Sequence, residues 1–407
     1  IPRSLSNTKR FIRTRWSSMA GKPKKLGAEP LKIGLVLDTS LDSTQGVPQY
    51  VTSIGEWLRS QGHDVHYLVG ETKRRDLPNI HSLSRNISVS FNGSRTTVPL
   101  PTSRRKLRRF MHDNHFDVLH VQTPHHPLLA QRLVLAASDD TAVVGTFHIL
   151  PYGWLARTGN RLLGIWLWPS LKRFDRMLAV STAAADFCRW SFGIEADISP
   201  NVVDYKLFHQ AKPLKQFDDK RLTILFLGRL EERKGCQVLL EAVANLSTRP
   251  GLPDFRVVIC GTGHLEVRLR NFVTQNGLAS VVSFEGFVSE ADKPRYYASA
   301  DLAVFPSSSG ESFGIVLLEA MASGRAAVLA GDNPGYRSVM LPQPDLLFPP
   351  QDAIGLANKL AAYLKDKPLR QKMAEWGESY TANFDVNVVG NELVSIYLEA
   401  LRKRRRR

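Results

Sequence analysis

The chain has 407 residues and a net charge of +16, with 54 basic and 38 acidic side chains. Its length favours two domains, and 43% hydrophobic residues can bury substantial cores. The longest strongly apolar stretch, residues 162–171, is too short to cross a membrane, and the three cysteines show neither CxxC spacing nor a disulfide framework. We therefore expect neither a membrane-spanning protein nor a disulfide scaffold, but free thiols in a reducing compartment.

The excess positive charge lies at the two ends of the chain. Residues 1–28 contain eight Lys or Arg and no acid, and residues 402–407 are all basic, which leaves 40 basic and 38 acidic residues elsewhere. We predict a disordered basic tail at 1–30 and a second basic tail at 402–407. Such tails are typical of proteins that bind anionic membranes or nucleic acid, and equally of solvated ends without a partner. Residues 1–18 are also acid-free and rich in Arg and Ser, as in a transit peptide, with Met19 as an alternative start.

The first half of the body alternates apolar strands with helices. A helix is predicted from Val47 to Gln61, and a local hairpin at 87–98 that turns at Asn92-Gly93. The alternation predicts a parallel, doubly wound α/β domain over residues 31–199. The predicted strands lie at 31–37, 63–69, 116–122, 141–148 and 176–181.

Two segments of this half combine basic and aromatic or apolar side chains. Residues 103–113 predict a helix, and residues 152–174 mix basic residues with tryptophans. Such segments are typical of helices that lie in a membrane interface, and the alternative is an amphipathic helix that covers the sheet. The basic and aromatic residues predicted to meet a membrane or acceptor are Arg104, Arg105, Lys106, Arg108, Arg109, Trp154, Trp166 and Trp168.

A polar linker, residues 209–221, separates this half from a second series of strands and helices. The second series predicts another doubly wound domain over residues 200–384, so that two Rossmann-like α/β domains would face each other across a cleft. Its predicted strands lie at 222–228, 255–261, 281–286, 300–306 and 326–331.

Two loops of the second half follow predicted strands and suit a phosphate group. Arg229 and Lys234 follow the strand that ends at Gly228, and ligands of open α/β sheets bind beyond the carboxyl ends of the strands. Two cations at that place suit a diphosphate, and the alternative is a charged, solvated loop. Gly261 and Gly263 form a Gly-x-Gly where backbone can approach a phosphate or base, although the third glycine of a dinucleotide fingerprint is missing.

The segment GESFGIVLLEAMASG places Glu311 and Glu319 eight residues apart around an apolar helix, which we expect Ser312 to cap. Along such a helix the carboxylates are about 12 Å apart and about 80° apart around the axis, so one extended ligand could touch both. The amides of Gly314 and Ile315 would face the anionic middle of that ligand. The alternative is two unrelated surface glutamates.

The Arg/Lys pair, the glycine loop and the two glutamates together resemble the retaining glycosyltransferases of family 4, which have the GT-B fold, and most of all the phosphatidyl-myo-inositol mannosyltransferases. The resemblance covers residues 31–401 and implies that residues 385–401 form a helix that crosses back onto the first domain. It implies transfer of a hexose, mannose or glucose, from a GDP- or UDP-linked donor. The implied acceptor is a phosphatidylinositol-type or diacylglycerol lipid at the cytoplasmic face of a membrane, where the protein would be peripheral.

The resemblance also implies roles for single residues. Arg229 and Lys234 would bind the donor diphosphate and stabilise the departing nucleotide. Glu311 would hold hydroxyls of the donor sugar and Glu319 those of the ribose. His148 would contact the transferred sugar, although a histidine after an apolar strand is otherwise a core residue. The other implied donor-binding residues are Gly46, Gly261, Gly263, Gly286, Phe287, Val288, Gly314 and Ile315.

No side chain is an obvious nucleophile, which agrees with the front-face mechanism that the resemblance implies. In that mechanism the leaving phosphate helps to deprotonate the acceptor, and catalysis rests on positioning and charge stabilisation. The sequence has no Asp-x-Asp motif. We therefore expect neither a metal ion nor a cofactor, with the two cations in the place of the metal.

Acceptor-side positions depart from the resembled family. Gln45 replaces a glycine of the family's mannosyltransferases, Pro48 replaces a glutamine, and His125 stands where an asparagine is expected. The run after His148 lacks the Thr and Lys of the family. The donor machinery is therefore expected to be intact, whereas recognition of inositol phosphate is not implied.

Two further functions stay open from the sequence. The same donor chemistry could serve a soluble acceptor, such as a sugar phosphate or a small alcohol, and binding to anionic vesicles would separate the two. A nucleic-acid-binding protein that relies on its arginine tails would leave Glu311 and Glu319 unexplained, so no specific nucleic acid is expected. The nucleotide base, the sugar, the acceptor and the oligomeric state are not fixed by the sequence.

Overall fold

The computed structural model of the protein describes residues 29–42, 46–91, 94–148 and 153–406. The strands are β1 (Lys32–Leu37), β2 (Asp64–Val69), β3 (Ile80–Ser82), β4 (Asn86–Phe91), β5 (Ser94–Pro99), β6 (Val118–Gln122), β7 (Ala142–Phe147), β8 (Arg176–Ala179), β9 (Asp197–Ile198), β10 (Leu222–Leu227), β11 (Phe255–Cys260), β12 (Val282–Gly286), β13 (Leu302–Phe305), β14 (Ala327–Gly331) and β15 (Leu347–Phe348). The helices are α1 (Gly46–Ser60), α2 (Arg104–Asn114), α3 (Leu129–Val134), α4 (Gly153–Leu171), α5 (Thr182–Phe192), α6 (Tyr205–His209), α7 (Cys236–Ser247), α8 (Glu266–Gln275), α9 (Lys293–Ala298), α10 (Ile315–Ala322), α11 (Pro334–Met340), α12 (Ala353–Lys365), α13 (Lys367–Thr381) and α14 (Val386–Arg405).

Two parallel sheets form the centres of two domains. The first has the strand order β3-β2-β1-β6-β7-β8-β9 and the second the order β12-β11-β10-β13-β14-β15. Each order reverses at the first strand of its domain, β1 or β10, as in a doubly wound fold. A ligand crevice is expected beyond the carboxyl ends of the strands at such a reversal. The predicted fold class, two Rossmann-like α/β domains, is confirmed.

The central strands form because their apolar side chains are covered on both faces. Five of the six residues of β1 are buried, and Leu35 in its middle pairs with Tyr67 of β2 and His120 of β6. Strands β4 and β5 pair antiparallel as the predicted hairpin, whose turn at Asn92-Gly93 lies outside the described residues. Strands β3, β9 and β15 were not predicted, because two or three residues are too few for a recognisable apolar run.

Helix α14 returns from the second domain and packs on the first. Its apolar face, which includes Leu393 and Tyr397, joins the buried cluster of β1, β2 and α1. Trp57 of α1 lies against Gly390, where a Cβ atom would overlap the indole ring, and its Nε1 donates to Asn387 Oδ1 at 2.9 Å. The crossing helix inferred from the resemblance is thus present at the end of the chain.

The basic C-terminal residues differ from the predicted tail. Helix α14 continues through Arg405, so residues 402–405 belong to the helix. Arg404 Nε lies 3.4 Å from Asp175 Oδ2 and Arg405 Nη2 lies 3.6 Å from Asp117 Oδ1, and these carboxylates hold the basic end against the first domain. Of the predicted N-terminal tail, residues 1–28 lie outside the described residues.

The described residues include all three cysteines and the helices that could be tested as membrane spans. Cys188, Cys236 and Cys260 are buried free thiols. Within the described ranges, no helix combines the length and the apolar character that a bilayer span requires.

Candidate functional site

A cleft of about 420 Å³ lies between the domains and is lined by residues of both. The first domain contributes Gly46 at the start of α1 and His148 after β7, and the second contributes loops that follow its strands. All predicted catalytic and donor-binding residues line this interdomain cleft except Gly263 and Gly286. Those of the second domain are Arg229, Lys234, Gly261, Phe287, Val288, Glu311, Gly314, Ile315 and Glu319.

Glu311 lies in the loop between β13 and α10, where three donors converge on one carboxylate oxygen. Oε1 accepts from Lys234 Nζ at 2.7 Å, Arg233 Nη1 at 3.1 Å and Ser307 Oγ at 2.9 Å. Burial alone would raise the pKa of the Glu311 carboxyl, but these partners outweigh burial and hold the pKa below its ordinary value. Glu311 is therefore ionised at neutral pH, and among the described residues no donor engages Oε2.

The loop after β10 supplies the positive charge of the interdomain cleft. Arg229 Nη1 lies 2.7 Å from Glu231 Oε1, and Arg233 Nε lies 3.3 Å from Glu231 Oε2. Three cations, Arg229, Arg233 and Lys234, thus share two carboxylates, Glu231 and Glu311. This excess of positive charge beside a cleft suits an anionic ligand.

Glu319 on α10 is 1% exposed and belongs to a network that the sequence did not indicate. Its Oε1 accepts from Lys293 Nζ at 2.7 Å and from Gln49 Nε2 at 3.0 Å, and its Oε2 accepts from Tyr297 at 3.2 Å. Lys293 also lies 2.6 Å from Glu290 Oε2. Burial would lower the pKa of Lys293, but Glu319 and Glu290 outweigh burial and raise the pKa, so Lys293 stays charged.

The glycine loop is built by close backbone packing rather than by a dinucleotide fingerprint. Gly261 has φ 137°, and a Cβ atom there would overlap the carbonyl oxygen of Gly228. Gly263 packs against the backbone of Leu230 and so supports the loop. It was predicted as a donor-binding residue, but it does not line the interdomain cleft. The carbonyl of Gly286 accepts the N–H of Gly261 at 2.6 Å, and Gly286 is not among the residues that line the interdomain cleft.

The start of α10 differs from the prediction. Ser312 does not cap the helix: the N-cap residue is Gly314, with φ 105° and no side-chain hydrogen bond. The carbonyl of Ser312 instead accepts from Ser181 Oγ of the first domain at 2.5 Å. Glu311 therefore precedes the helix while Glu319 lies on it, so the expected 80° relation around one helix axis does not apply. Gly314, Ile315 and Val316 at the start of α10 still line the interdomain cleft.

His148 is nearly buried at the cleft wall. Its Nε2 lies 2.6 Å from Gln122 Oε1 at the end of β6, and its ring lies 4.9 Å from that of Tyr50 between centroids. Burial lowers the pKa of His148 to about 3, and the polar side chain of Asn201, which favours the charged imidazole, raises the pKa only in part. The imidazole is therefore neutral at physiological pH. With Gln122 as acceptor, Nε2 carries the proton, and Nδ1, which is buried without a hydrogen-bond partner, is left as an acceptor.

Of the acceptor-side positions that depart from the family, the two that the structure describes, His125 and Pro48, do not line the interdomain cleft. His125 is buried, with its ring stacked on Phe147 at 5.4 Å between centroids, and it does not line the cleft. Pro48 is buried in α1. Gln45 and residues 149–152 lie outside the described residues.

The predicted membrane-facing residues lie on α2 and α4, away from the interdomain cleft. Trp166 is 67% exposed and Trp168 46% exposed, whereas only the backbone of Trp154 is described. The basic side chains of α2 are all exposed, namely Arg104, Arg105, Lys106, Arg108 and Arg109.

Several cleft residues were missed by sequence reasoning. Arg233 could have been found, because it stands beside Lys234 in the same charged loop. Gln49, Asn201 and Lys293 stand in segments without a recognisable phosphate or sugar motif. Gln49 and Lys293 come together only in the folded protein, where both donate to Glu319 Oε1.

Comparison with known proteins gives two family matches that together span most of the chain. A model described as "Glycosyl transferases group 1" matches residues 209–380, and one described as "Glycosyltransferase Family 4" matches residues 44–207. The phosphatidyl-myo-inositol mannosyltransferase of Mycolicibacterium smegmatis is 33% identical over 374 residues, which cover 90% of this chain and 93% of that protein. The protein of the same name from Mycobacterium tuberculosis is 32% identical over 380 residues, or 90% of this chain and 96% of its own.

Solved structures share the architecture at lower sequence identity. A glycosyltransferase from Rickettsia africae superposes with a TM-score of 0.70 at 17% identity, over 92% of this chain and 99% of its own. The Anabaena protein HepE in complex with UDP-glucose superposes with a TM-score of 0.65 at 18% identity, over 90% of this chain and 99% of its own. At such identities these likenesses show the fold alone.

Proposed function

The chain belongs to the family 4 glycosyltransferases of the GT-B fold, and from this premise we propose that it transfers a hexose, mannose or glucose, to a membrane lipid. The donor is a GDP- or UDP-linked sugar and the acceptor a phosphatidylinositol-type or diacylglycerol lipid. The observation that carries the proposal is the interdomain cleft, where cations, the carboxylates of Glu311 and Glu319, and His148 converge from both domains. The names of the mannosyltransferase relatives support a lipid acceptor.

The cleft residues divide the donor between them. Arg229, Arg233 and Lys234 bind the diphosphate and compensate the charge that develops when the bond from the anomeric carbon to the phosphate oxygen breaks. Oε2 of Glu311 accepts from sugar hydroxyls, and Glu319 accepts from the ribose in place of Gln49. Phe287 and Val288 lie at the base, and the backbone at Gly46, whose Cα has open space beside it, admits the phosphate or sugar.

The reaction proceeds with retention and without a metal ion in this proposal. The acceptor hydroxyl attacks the anomeric carbon on the face that the diphosphate leaves, and its proton passes to the departing phosphate oxygen. The neutral His148 accepts a hydrogen bond from the sugar at Nδ1 and does not act as a charged acid. Arg229 and Lys234 supply the positive charge that a metal would otherwise provide.

A peripheral position on the cytoplasmic face of a membrane fits a lipid acceptor. The exposed basic helix α2 and the exposed tryptophans of α4 support this location, because basic and aromatic side chains are favoured at anionic interfaces.

The proposal is tested by thermal shift with a panel of GDP- and UDP-linked hexoses. One donor should stabilise the wild type, Lys234→Ala should lose that stabilisation, and Lys212→Ala, the same change at an exposed lysine outside the cleft, should keep it. With the donor so identified, the wild type should transfer labelled sugar to a lipid extract. Lys234→Ala should catalyse the same transfer with a kcat lower by about 10²–10³-fold. Stabilisation of Lys234→Ala equal to that of the wild type would contradict the proposed donor site.

A further inference from the structure

Strand β6 carries two polar side chains, His120 and Gln122, on one face of the first sheet, because alternate residues of a strand point to the same side. Both side chains are fully buried. The ring nitrogens of His120 both have partners, the hydroxyl of Tyr397 at 2.6 Å and that of Thr146 at 2.7 Å. His120 is thus a hydrogen-bonded core histidine that joins the first sheet to the returning helix α14.

Gln122, at the carboxyl end of β6, is not paired in this way. Its Oε1 lies 2.6 Å from Nε2 of His148, but its own Nε2 is buried without a hydrogen-bond partner among the described residues. A buried donor without an acceptor is unfavourable, and an apolar side chain of similar size would avoid that cost. Core packing therefore does not explain an amide at this position, whereas its contact with His148 does.

The backbone at the end of β6 is strained next to Gln122. Thr123 has φ 55°, in the left-handed region that a β-branched residue rarely adopts. Its N–H donates to the carbonyl of Thr146 at 2.9 Å, and its Oγ1 donates to the carbonyl of Gln122 at 2.6 Å. Strain of this kind persists only where surrounding contacts hold it, and it is concentrated at functional sites. These contacts hold β6 and β7 together at the point where Gln122 meets His148.

Two acceptor atoms at the cleft wall have no donor in the described part of the chain. His148 Nδ1 and Asn201 Oδ1 are both buried without a hydrogen-bond partner there, although both side chains line the interdomain cleft. The side chain of Asn201 lies close enough to the imidazole to favour its charged form. Two neighbouring acceptors need donors from a ligand. The hydroxyl groups of a sugar are such donors, whereas an ionised diphosphate offers acceptor oxygens only.

The character of His148 Nδ1 depends on where the neutral imidazole carries its single proton. With the proton on Nε2, that nitrogen donates to Gln122 Oε1 and Nδ1 stays an acceptor. With the proton on Nδ1, the lone pairs of Nε2 and Oε1 would face each other at 2.6 Å, which is repulsive. Gln122 therefore selects the tautomer that keeps an acceptor at the cleft.

We propose that Gln122 is a positioning residue for sugar transfer: it holds the proton of His148 on Nε2, so that His148 Nδ1 and Asn201 Oδ1 accept hydroxyl groups of the transferred hexose. This inference rests on the proposed function and adds the selectivity of this wall for a hydroxylated sugar. When the bond to the phosphate breaks, the sugar gains positive charge and its hydroxyls become stronger donors, so the hydrogen bond to Nδ1 strengthens in the transition state. The effect of Gln122 therefore lies in kcat rather than in KM.

The tautomer is measured directly by NMR in the full-length protein without nucleotide sugar. In isotopically labelled histidine, the protonated and unprotonated ring nitrogens have well-separated chemical shifts, and the signals of His148 are those lost in His148→Gln. We expect the proton on Nε2 in the wild type. In Gln122→Met, whose side chain has a similar size but no acceptor oxygen, we expect a measurable population with the proton on Nδ1.

Gln131→Met is the matched control for the kinetics. Gln131 is a buried glutamine of α3 that donates to the carbonyl of Pro124 and does not line the interdomain cleft. With the donor identified by thermal shift, we expect Gln122→Met to lower kcat by about 10–100-fold and to change KM by less than about threefold. Gln131→Met should keep kcat within about twofold of the wild type, because it removes a buried amide that does not act on the sugar.

Deoxy analogues of the donor, each lacking one hydroxyl, identify the group that His148 Nδ1 accepts. With one of these analogues, the wild type should lose about as much kcat as Gln122→Met loses with the complete sugar. Gln122→Met should lose little further with that analogue, because both changes remove the same hydrogen bond.

Four outcomes would overturn the inference. A proton on Nδ1 in the wild type would mean that the amide of Gln122 donates to the ring. An unchanged tautomer in Gln122→Met would mean that another group selects it. Equal losses of kcat in Gln122→Met and Gln131→Met would leave Gln122 a structural residue, and additive losses with every deoxy analogue would separate it from the sugar hydroxyls. Failure of every nucleotide sugar to stabilise the wild type would count against the proposed function, whereas the tautomer measurement would still test Gln122.

Discussion

Asp38, at the carboxyl end of β1, is a fully buried carboxyl group that the proposed reaction does not use. Its Oδ1 accepts the N–H of Ala130 at 2.6 Å, whereas its Oδ2 has no hydrogen-bond partner and lies 3.9 Å from Nδ1 of His126. Burial raises the pKa of Asp38 to about 7, and the Ala130 hydrogen bond lowers it only in part. Burial also lowers the pKa of His126 to about 4, so the imidazole is neutral near physiological pH and does not compensate the carboxylate.

The raised pKa predicts a pH-dependent effect of Asp38→Asn. Between pH 4 and pH 7 the folded protein keeps a proton that the unfolded chain releases, so the contribution of Asp38 to stability is present at low pH and is lost as pH rises through about 7. Asparagine does not ionise, so the stability of Asp38→Asn relative to wild type should grow by about 2–3 kcal/mol from pH 5 to pH 8. Urea unfolding at both pH values measures this difference, with Asp139→Asn, an exposed aspartate, as control. A pH-independent difference would contradict the prediction.

The two glutamates of the GESFGIVLLEAMASG segment show how far single residues can be interpreted from sequence. Their type and spacing predicted that both would reach a common cleft, and both line it. Their partners were not predictable, because Glu311 is bound by the charged loop after β10 while Glu319 is bound by α9 and by Gln49 of the other domain. Contacts between elements distant in sequence depend on packing that no local pattern encodes.

At the scale of elements, the loops after β10 and β11 form one wall of the cleft because they approach each other without side chains between them. Gly261 lies against Gly228 and Gly263 lies against Leu230, and the N–H of Leu230 donates to the carbonyl of Thr262 at 3.0 Å. This packing fixes the direction of the charged loop that follows β10. The position of Arg229 and Lys234 therefore depends on the contact between the loops that follow β10 and β11.

Gly261→Ala should disrupt this wall far more than an alanine at another glycine with positive φ. At Gly261 the new Cβ would overlap the Gly228 carbonyl, so we expect a loss of more than about 3 kcal/mol in unfolding free energy and the loss of nucleotide-sugar stabilisation. Gly277, after α8, has φ 66° and no atom within 4 Å of a Cβ, so Gly277→Ala should cost only about 1–2 kcal/mol. Urea unfolding and thermal shift measure both effects. Equal losses in the two variants would show that the close approach at Gly261 is not a constraint.

The elements that sequence patterns predicted share one physical property. Long apolar runs such as β1 and β10 are recognisable because burial on both faces requires every position to be apolar. The start of α10 was not predictable: Ser312 is a good capping residue by type, but the helix begins at Ile315, after Gly314, whose φ of 105° and closeness to Tyr336 leave no room for a side chain. Tertiary contacts thus override local capping preference at the point where the helix meets the cleft.

At the scale of the whole molecule, the two chain crossings between the domains lie side by side. Val203 donates to the carbonyl of Phe384 at 3.0 Å, and Val386 donates to the carbonyl of Val203 at 3.1 Å. Adjacent crossings of this kind are typical of a hinge, because few backbone angles need to change when two domains move. The contacts between the domains on the side of the cleft include the hydrogen bonds from Gln49 to Glu319 and from Ser181 to Ser312.

Gln49→Ala should shift the protein without nucleotide towards an open arrangement of the domains. Glu319 Oε1 accepts from Gln49 and also from the charged Lys293, and a hydrogen bond in such a charged cluster is worth about 1.5–3 kcal/mol, enough to change the ratio of closed to open molecules by about tenfold or more. We expect a larger radius of gyration by small-angle X-ray scattering for Gln49→Ala than for wild type, and its return on saturation with the nucleotide sugar. Gln61→Ala, an exposed glutamine just after α1, serves as the control and should scatter as wild type. Identical scattering of Gln49→Ala and wild type would mean that the other contacts between the domains hold the cleft closed without Gln49.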